Sequence, residues 1–382
     1  MLRIPAEVYG QVAALLTRPD LVNLSRVSPA SRGESNRLLY QNVDFSSLPV
    51  GFLGRNPTST RASDKPIDTF FATISSSPEH AALVKSFALR LPYQPAEGIS
   101  PQNALETMTN LRRLTVVSVL FNDVFPSFLH KCTTELREFD AGLPLNDDLF
   151  TFLSRRPKIC HATIGKEKMP CGMEKGSYEI LLSGREDLLL GLTRLRVVEG
   201  AVPLAFSCRS LTELDILISE HQDFSLVMDV MRLVGKQLTK LRCQRSLYYG
   251  SDAIFQHLSS LAEATPALQV LDILEYFCGG WGSPPCIRYL SDLEALTLDG
   301  KWARLREIGW TSHLSFHDHL VYWKGASLCD RIFEALPSID DLKYTEECLL
   351  EVNSSVTFSY QRVGIERLEW REVVRGDSKP FR

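Results

Sequence analysis

Apolar residues recur along this chain with two periods. Near the N-terminus the spacing is helical: Val8, Val12, Leu15 and Leu16 follow Pro5, a residue suited to a first helical turn. The stretch TRPD interrupts this pattern, and Asp20 can cap a second helix carrying Leu21, Leu24 and Val27. A third apolar group, Leu38, Leu39 and Tyr40, precedes VDFSS. Three short helices are therefore predicted within residues 1–45. Residues 46–66, SSLPVGFLGRNPTSTRASDKP, are dense in Ser, Thr, Gly, Pro and Asn and read as a linker or exposed loop.

From residue 67 to 370 the pattern changes to apolar-x-x-apolar-x-apolar. It appears as VKSFAL from Val84, LRRLTV from Leu111, ICHATI from Ile159, LTRLRV from Leu192 and LTELDI from Leu211. It continues as LTKLRC from Leu238, LQVLDI from Leu268, LEALTL from Leu293, IDDLKY from Ile339 and IERLEW from Ile365, with LREFDA from Leu136 as a weaker copy. Neighbouring copies are mostly about 19 to 33 residues apart, near the leucine-rich-repeat range. LREIGW, from Leu305, follows its predecessor too closely to count as another full unit.

Segments between the copies carry helical periodicity. DFSLVMDVMRLVGK sets Phe224, Val227, Met231 and Val234 on one face behind an Asp cap, and DAIFQHLSSLAEAT does so with Ile254, Leu258 and Leu261. Pro157, Pro266 and Pro337 each stand two residues before a hexad, where proline ends a helix and favours an extended predecessor. The expected fold is an α/β repeat: a small all-helical segment, then an irregular solenoid of short parallel strands with helices on its outer face. Residues 371–382 read as a polar tail.

Composition narrows the function. At 44% apolar and 23% charged, the 382 residues have a globular balance, and no stretch approaches a membrane span. A formal net charge of −4 supplies no basic field for nucleic acid. Arg3, Pro5 and Glu7 break up any signal-peptide core, and the nine cysteines include no C-x-x-C pair. Both point to reduced thiols in the cytoplasm or nucleus.

The N-terminal segment, residues 2–45, resembles an F-box. The elements IPAEV, VAALL, PDLVNLSRVS and LLYQNVDF stand in that family's order and spacing, although Ile4 replaces the usual Leu, Val12 the common Ile, and SPASRGESN is unusually polar. With the repeats, the chain is similar to fungal F-box proteins carrying irregular leucine-rich repeats. The resemblance implies that the helices bind a Skp-type adaptor and, through it, a cullin-based ubiquitin ligase. The positions family members use for this are matched by Ile4, Pro5, Val8, Leu16, Leu21, Leu24 and Val27. A segment of about 45 residues is marginal as a lone domain, so burial against a partner would complete it. The alternative is that this face caps the repeat array, as terminal repeats require.

Side chains alternate faces along a strand, so the residue between the last two apolar hexad positions faces away from the core. On this concave face the candidate substrate-binding residues are Arg196, Asp215, Arg242, Asp272, Lys343 and Glu369, beside Thr115, Thr163 and Thr297. Their mixed charge suits a protein ligand. His313, His317, Asp318 and His319 are the densest potential metal ligands but have no supporting cysteine pair; Cys160, His161 and Cys171 form a looser group whose thiols burial in the repeat core explains. GMEKGS lacks the P-loop order, and Trp281 in FCGGWGSPPC is either a contact anchor or folds onto the repeats. No catalytic residue, metal site or cofactor is nominated; a non-catalytic ligase subunit is expected, with a repeat-type scaffold as the alternative.

Overall fold

The computed structural model describes residues 6–46, 60–93, 95–118, 125–132, 134–143, 145–165, 189–218, 224–247, 258–277, 301–314, 338, 341–348, 354–363 and 367–375. The chain divides into two compact units, Met1–Pro170 and Cys171–Arg382.

In the first unit, helices α1 (Ala6–Ala14), α2 (Arg18–Leu24) and α3 (Pro29–Gln41) lead directly into strand β1 (Asn42–Asp44). Then follow α4 (Thr60–Ser76), α5 (Pro78–Leu83), β2 (Ser86–Leu91), α6 (Pro101–Thr107), β3 (Arg113–Ser118), a 3-10 turn (Ser127–Lys131), β4 (Glu138–Ala141), α7 (Asp147–Ser154) and β5 (His161–Ile164). Three helices open on a Ser-Pro pair: Ser28, Ser77 and Ser100 each accept a backbone N–H while the proline occupies the first turn. Strands β1 to β5 are parallel, each paired with the next in sequence.

In the second unit β6 (Arg194–Val198), β7 (Glu213–Ile218), β8 (Lys240–Leu247), β9 (Val270–Phe277), β10 (Glu307–Leu314) and β11 (Asp341–Cys348) repeat that order, again parallel. A 3-10 segment (Glu199–Ser207) and helices Phe224–Val234 and Leu258–Ala264 connect the first four. The architecture is α/β, with parallel strands laid down in chain order.

Strands begin two residues into the hexads, and the hexad's apolar positions form the core. Val84, Leu111, Leu136, Ile159, Leu192, Leu211, Leu238, Leu268 and Leu305 each open one and are buried. The fourth positions stack in register, Phe87, Leu114, Phe139 and Ala162 in the first unit, with Val43 of β1, outside any hexad, beside Phe87. In the second unit Leu195, Leu214, Leu241, Leu271 and Ile308 do the same. Every one of these is buried, so each added strand extends one apolar column. Helix Phe224–Val234 turns Val227, Val230, Met231 and Val234 inward, as its spacing predicts.

The residues before two of the junction prolines have a further task; Pro337 and its predecessor lie outside the described residues. Arg156, ahead of Pro157, donates from Nη1 to Phe152 O at 2.7 Å, and Thr265, ahead of Pro266, donates from Oγ1 to Leu261 O at 2.8 Å. Both cap carbonyls at a helix end while proline stops the helix. Arg156 also bonds Cys132 O and lies 3.7 Å from the Phe152 ring centroid. Burial holds its pKa below the usual arginine value.

Four details differ from the sequence reading. LREIGW supplies β10, which pairs directly with both β9 and β11; its short distance from LEALTL does not exclude it, and residues 293–298 lie outside the described residues. The last hexad, IERLEW, supplies β13 (Arg367–Arg375), which is antiparallel to β12 (Ser354–Val363), itself antiparallel to β11, so parallel stacking ends at β11. Helix α4 begins at Thr60, inside the expected linker, and β13 runs into the expected tail. The polar stretch SPASRGESN belongs to α3, entered through a capping box between Ser28 and Ser31.

Candidate interaction surfaces

The first surface is built on α1 and α2. Each turns a residue inward, Ala13 and Leu21, and both helices pack on α3. Gly10 keeps α1 close, since a β-carbon there would stand 3.1 Å from Glu34 Oε1 on α3. Ser31 Oγ donates to Leu24 O at 2.9 Å and Arg18 Nη2 to Asn42 O at 3.0 Å, tying α2 to α3 and to β1. Arg37 donates to both Glu34 oxygens, and that bond holds the Glu34 carboxyl below its ordinary range. Helix α3 in turn rests on α5, with Tyr40 and His80 rings 4.7 Å apart and Asn36 Nδ2 3.2 Å from His80 Nε2.

With its inner side fixed in this way, the segment leaves apolar side chains uncovered. Val8 is 41% exposed, Val12 49%, Leu15 87%, Val22 39% and Val27 75%. Elsewhere among the described residues only Val117, Leu190 and Leu233 are large, apolar and exposed. Of the seven residues expected to meet an adaptor, Val8 and Val27 are exposed, Leu16 and Leu24 half-buried, and Leu21 buried in the chain itself. Ile4 and Pro5 lie outside the described residues. Leu15 and Val22, which sequence reasoning did not nominate, are exposed; their periodicity alone could not tell an inward from an outward face.

The second surface is the sheet face opposite the buried columns in the second unit. Its central row is charged with alternating sign: Arg196, Asp215, Arg242 and Asp272 stand opposite one another on β6 to β9. The row continues through Gly309 on β10 to Lys343 on β11. Arg196 Nε approaches Asp215 Oδ2 at 3.5 Å. Burial raises the Asp215 carboxyl pKa although Arg196 and Arg242 both pull it down. Asp215 Oδ1 and Arg242 Nε are buried atoms without a hydrogen-bond partner. Gly309 makes room for Asp272, whose Oδ1 would stand 2.0 Å from a β-carbon there.

Rows on either side complete this face. One holds Arg194, Glu213 and Lys240, with Arg194 donating to both Glu213 oxygens at 2.7 and 2.8 Å. The other holds Val198, Leu217, Gln244, Leu274 and Thr311. Glu369 does not join the central row: Ser359 and Arg371 stand in register with Lys343, and Glu369 is two residues along. In the first unit the equivalent row reads Asp44, Ala88, Thr115, Asp140 and Thr163, with two acidic residues and no basic one, so the alternation of sign is absent. Thr297 lies outside the described residues.

Residues 315–320 and 166–188, which hold His317, Asp318, His319, Cys171 and the GMEKGS stretch, also lie outside the described residues, as does Trp281. Among the described residues no group of three His, Cys, Asp or Glu side chains is placed to hold a metal ion. No described helix is long and apolar enough to cross a membrane. No family model matches the chain, and no curated protein matches it.

Proposed function

We propose that this protein is a non-catalytic substrate-recognition subunit of a Skp–cullin–F-box ubiquitin ligase. Residues 1–45 act as the F-box and bind a Skp-type adaptor, and through it a cullin; the strands that follow form an irregular leucine-rich-repeat array whose outward face binds a protein substrate in the cytoplasm or nucleus. One observation carries the reading. The segment that resembles an F-box is fastened to its own chain on one side and exposes Val8, Val12, Leu15, Val22 and Val27 on α1, α2 and the adjoining turns. Uncovered apolar side chains concentrated in one short segment mark a protein-binding surface. The test is co-purification of the full chain with a Skp-type adaptor, compared with a Leu15→Asp variant.

A second reading, a repeat-type scaffold whose N-terminal segment serves as an end cap, draws support from the pairing of β1 with β2. The two readings diverge on clients: a ligase subunit shortens the lifetime of what it binds, and a scaffold leaves it unchanged.

A further inference from the structure

We propose that the outward face of β6 to β9 binds an amphipathic α-helix of the partner protein, lying across the strands, with an apolar stripe flanked by acidic and basic residues alternating at three- and four-residue spacing. The inference rests on taking this face as the substrate surface and names the shape and charge of what it takes.

The geometry selects a helix. Neighbouring strands are about 4.8 Å apart, so the signs of Arg196, Asp215, Arg242 and Asp272 alternate with that step across the sheet. Residues three and four apart on a helix are neighbours at about 5 to 6 Å, close to the strand step. An extended segment repeats its same-side residues at about 6.6 Å and falls out of phase within two strands. A run of phosphates presents one sign and would be repelled at Asp215 and Asp272. The partner helix therefore sets an acid over Arg196 and Arg242 and a base over Asp215 and Asp272.

Two further observations agree. Asp215 Oδ1 and Arg242 Nε, register neighbours of opposite character, are buried beneath this face without hydrogen-bond partners, so neither charge is fully satisfied within the row. Next along the strands, Leu217 and Leu274 are half-buried on the same face, where an apolar stripe would cover them.

Three helical peptides of about 18 residues, roughly five turns, test this against the full chain by fluorescence anisotropy. All share one apolar stripe; the flank alternates Glu and Lys in one, is all Glu in the second and all Lys in the third. The alternating peptide is expected to bind about tenfold more tightly than either other, a difference of about 1.4 kcal/mol. In a chain carrying Asp215→Lys and Asp272→Lys the all-Glu peptide should become the tightest. If that chain melts early, Arg196→Gln with Arg242→Gln is the second variant, and the preference for alternation should vanish. Equal binding of the three peptides, no binding, or an unchanged preference in a folded variant overturns the proposal. Adaptor capture by the same preparations is scored separately: its loss with peptide preference intact removes the F-box reading alone.

Discussion

Val43 stands opposite Phe87 in the parallel ladder of β1 and β2, and both side chains are buried. The strand that ends the N-terminal helical segment is thus the first strand of the sheet, and Phe45 beyond it packs edge-on against Phe70 and Phe87. The same segment serves the sheet on one side and leaves apolar residues uncovered on the other.

Deletion of residues 1–45 should therefore expose the column headed by Phe87 and remove the support of α5. We expect the truncated chain to unfold at a lower temperature and residues 60–118 to lose protection in hydrogen exchange. Unchanged protection there would mean that β1 is dispensable.

Buried and exposed residues of one helical stretch should separate stability from binding. Leu21→Ala, at a buried site, should cost about 2 to 4 kcal/mol in denaturant unfolding. Leu15→Asp, at a site 87% exposed, should change stability by no more than about 0.5 kcal/mol.

Asp215 should make stability depend on pH in a defined direction. Burial raises its folded pKa above the unfolded value, so its contribution is fully present below the ordinary carboxylate range and is lost as pH rises through the folded value. At pH 7 the ionised carboxylate costs stability. Asp215→Asn should melt higher than the parent at pH 7, and the gap should close near pH 3. A lower melting temperature at pH 7 would show that Arg196 and Arg242 outweigh burial.

Cysteine labelling should follow burial. Burial pushes the Cys208 thiol up to about 12, and Cys132 and Cys243 are also buried, whereas Cys160 is half-buried. In the native chain iodoacetamide should modify Cys160 before the other three, as read by peptide mass spectrometry.

Periodicity made much of this fold legible. Wherever a hexad opens a described strand, that strand starts two residues in, because apolar side chains at its first, fourth and sixth positions have one common face to fill. The row carrying Arg196, Asp215, Arg242 and Asp272 followed from that alternation. Glu369 did not fall in line, because β12 reverses direction and shifts the register, a pairing no hexad encodes. The first half of helix α3 was not legible, since SPASRGESN carries no apolar stripe and is held by a capping box and by packing on α5. The exposure of Leu15 and the burial of Leu21 depend on which side α3 covers, which spacing alone does not specify. Gly309 had a signal, a glycine at a hexad position where its neighbours are charged, whose meaning appears only once Asp272 is seen to fill the space above it.

The most direct measurement is size-exclusion chromatography of the full chain mixed with a purified Skp-type adaptor, beside Leu15→Asp of equal thermal stability. The proposed function predicts one co-eluting complex for the parent chain and separate peaks for the variant. Separate peaks for the parent, or co-elution of both, would contradict it.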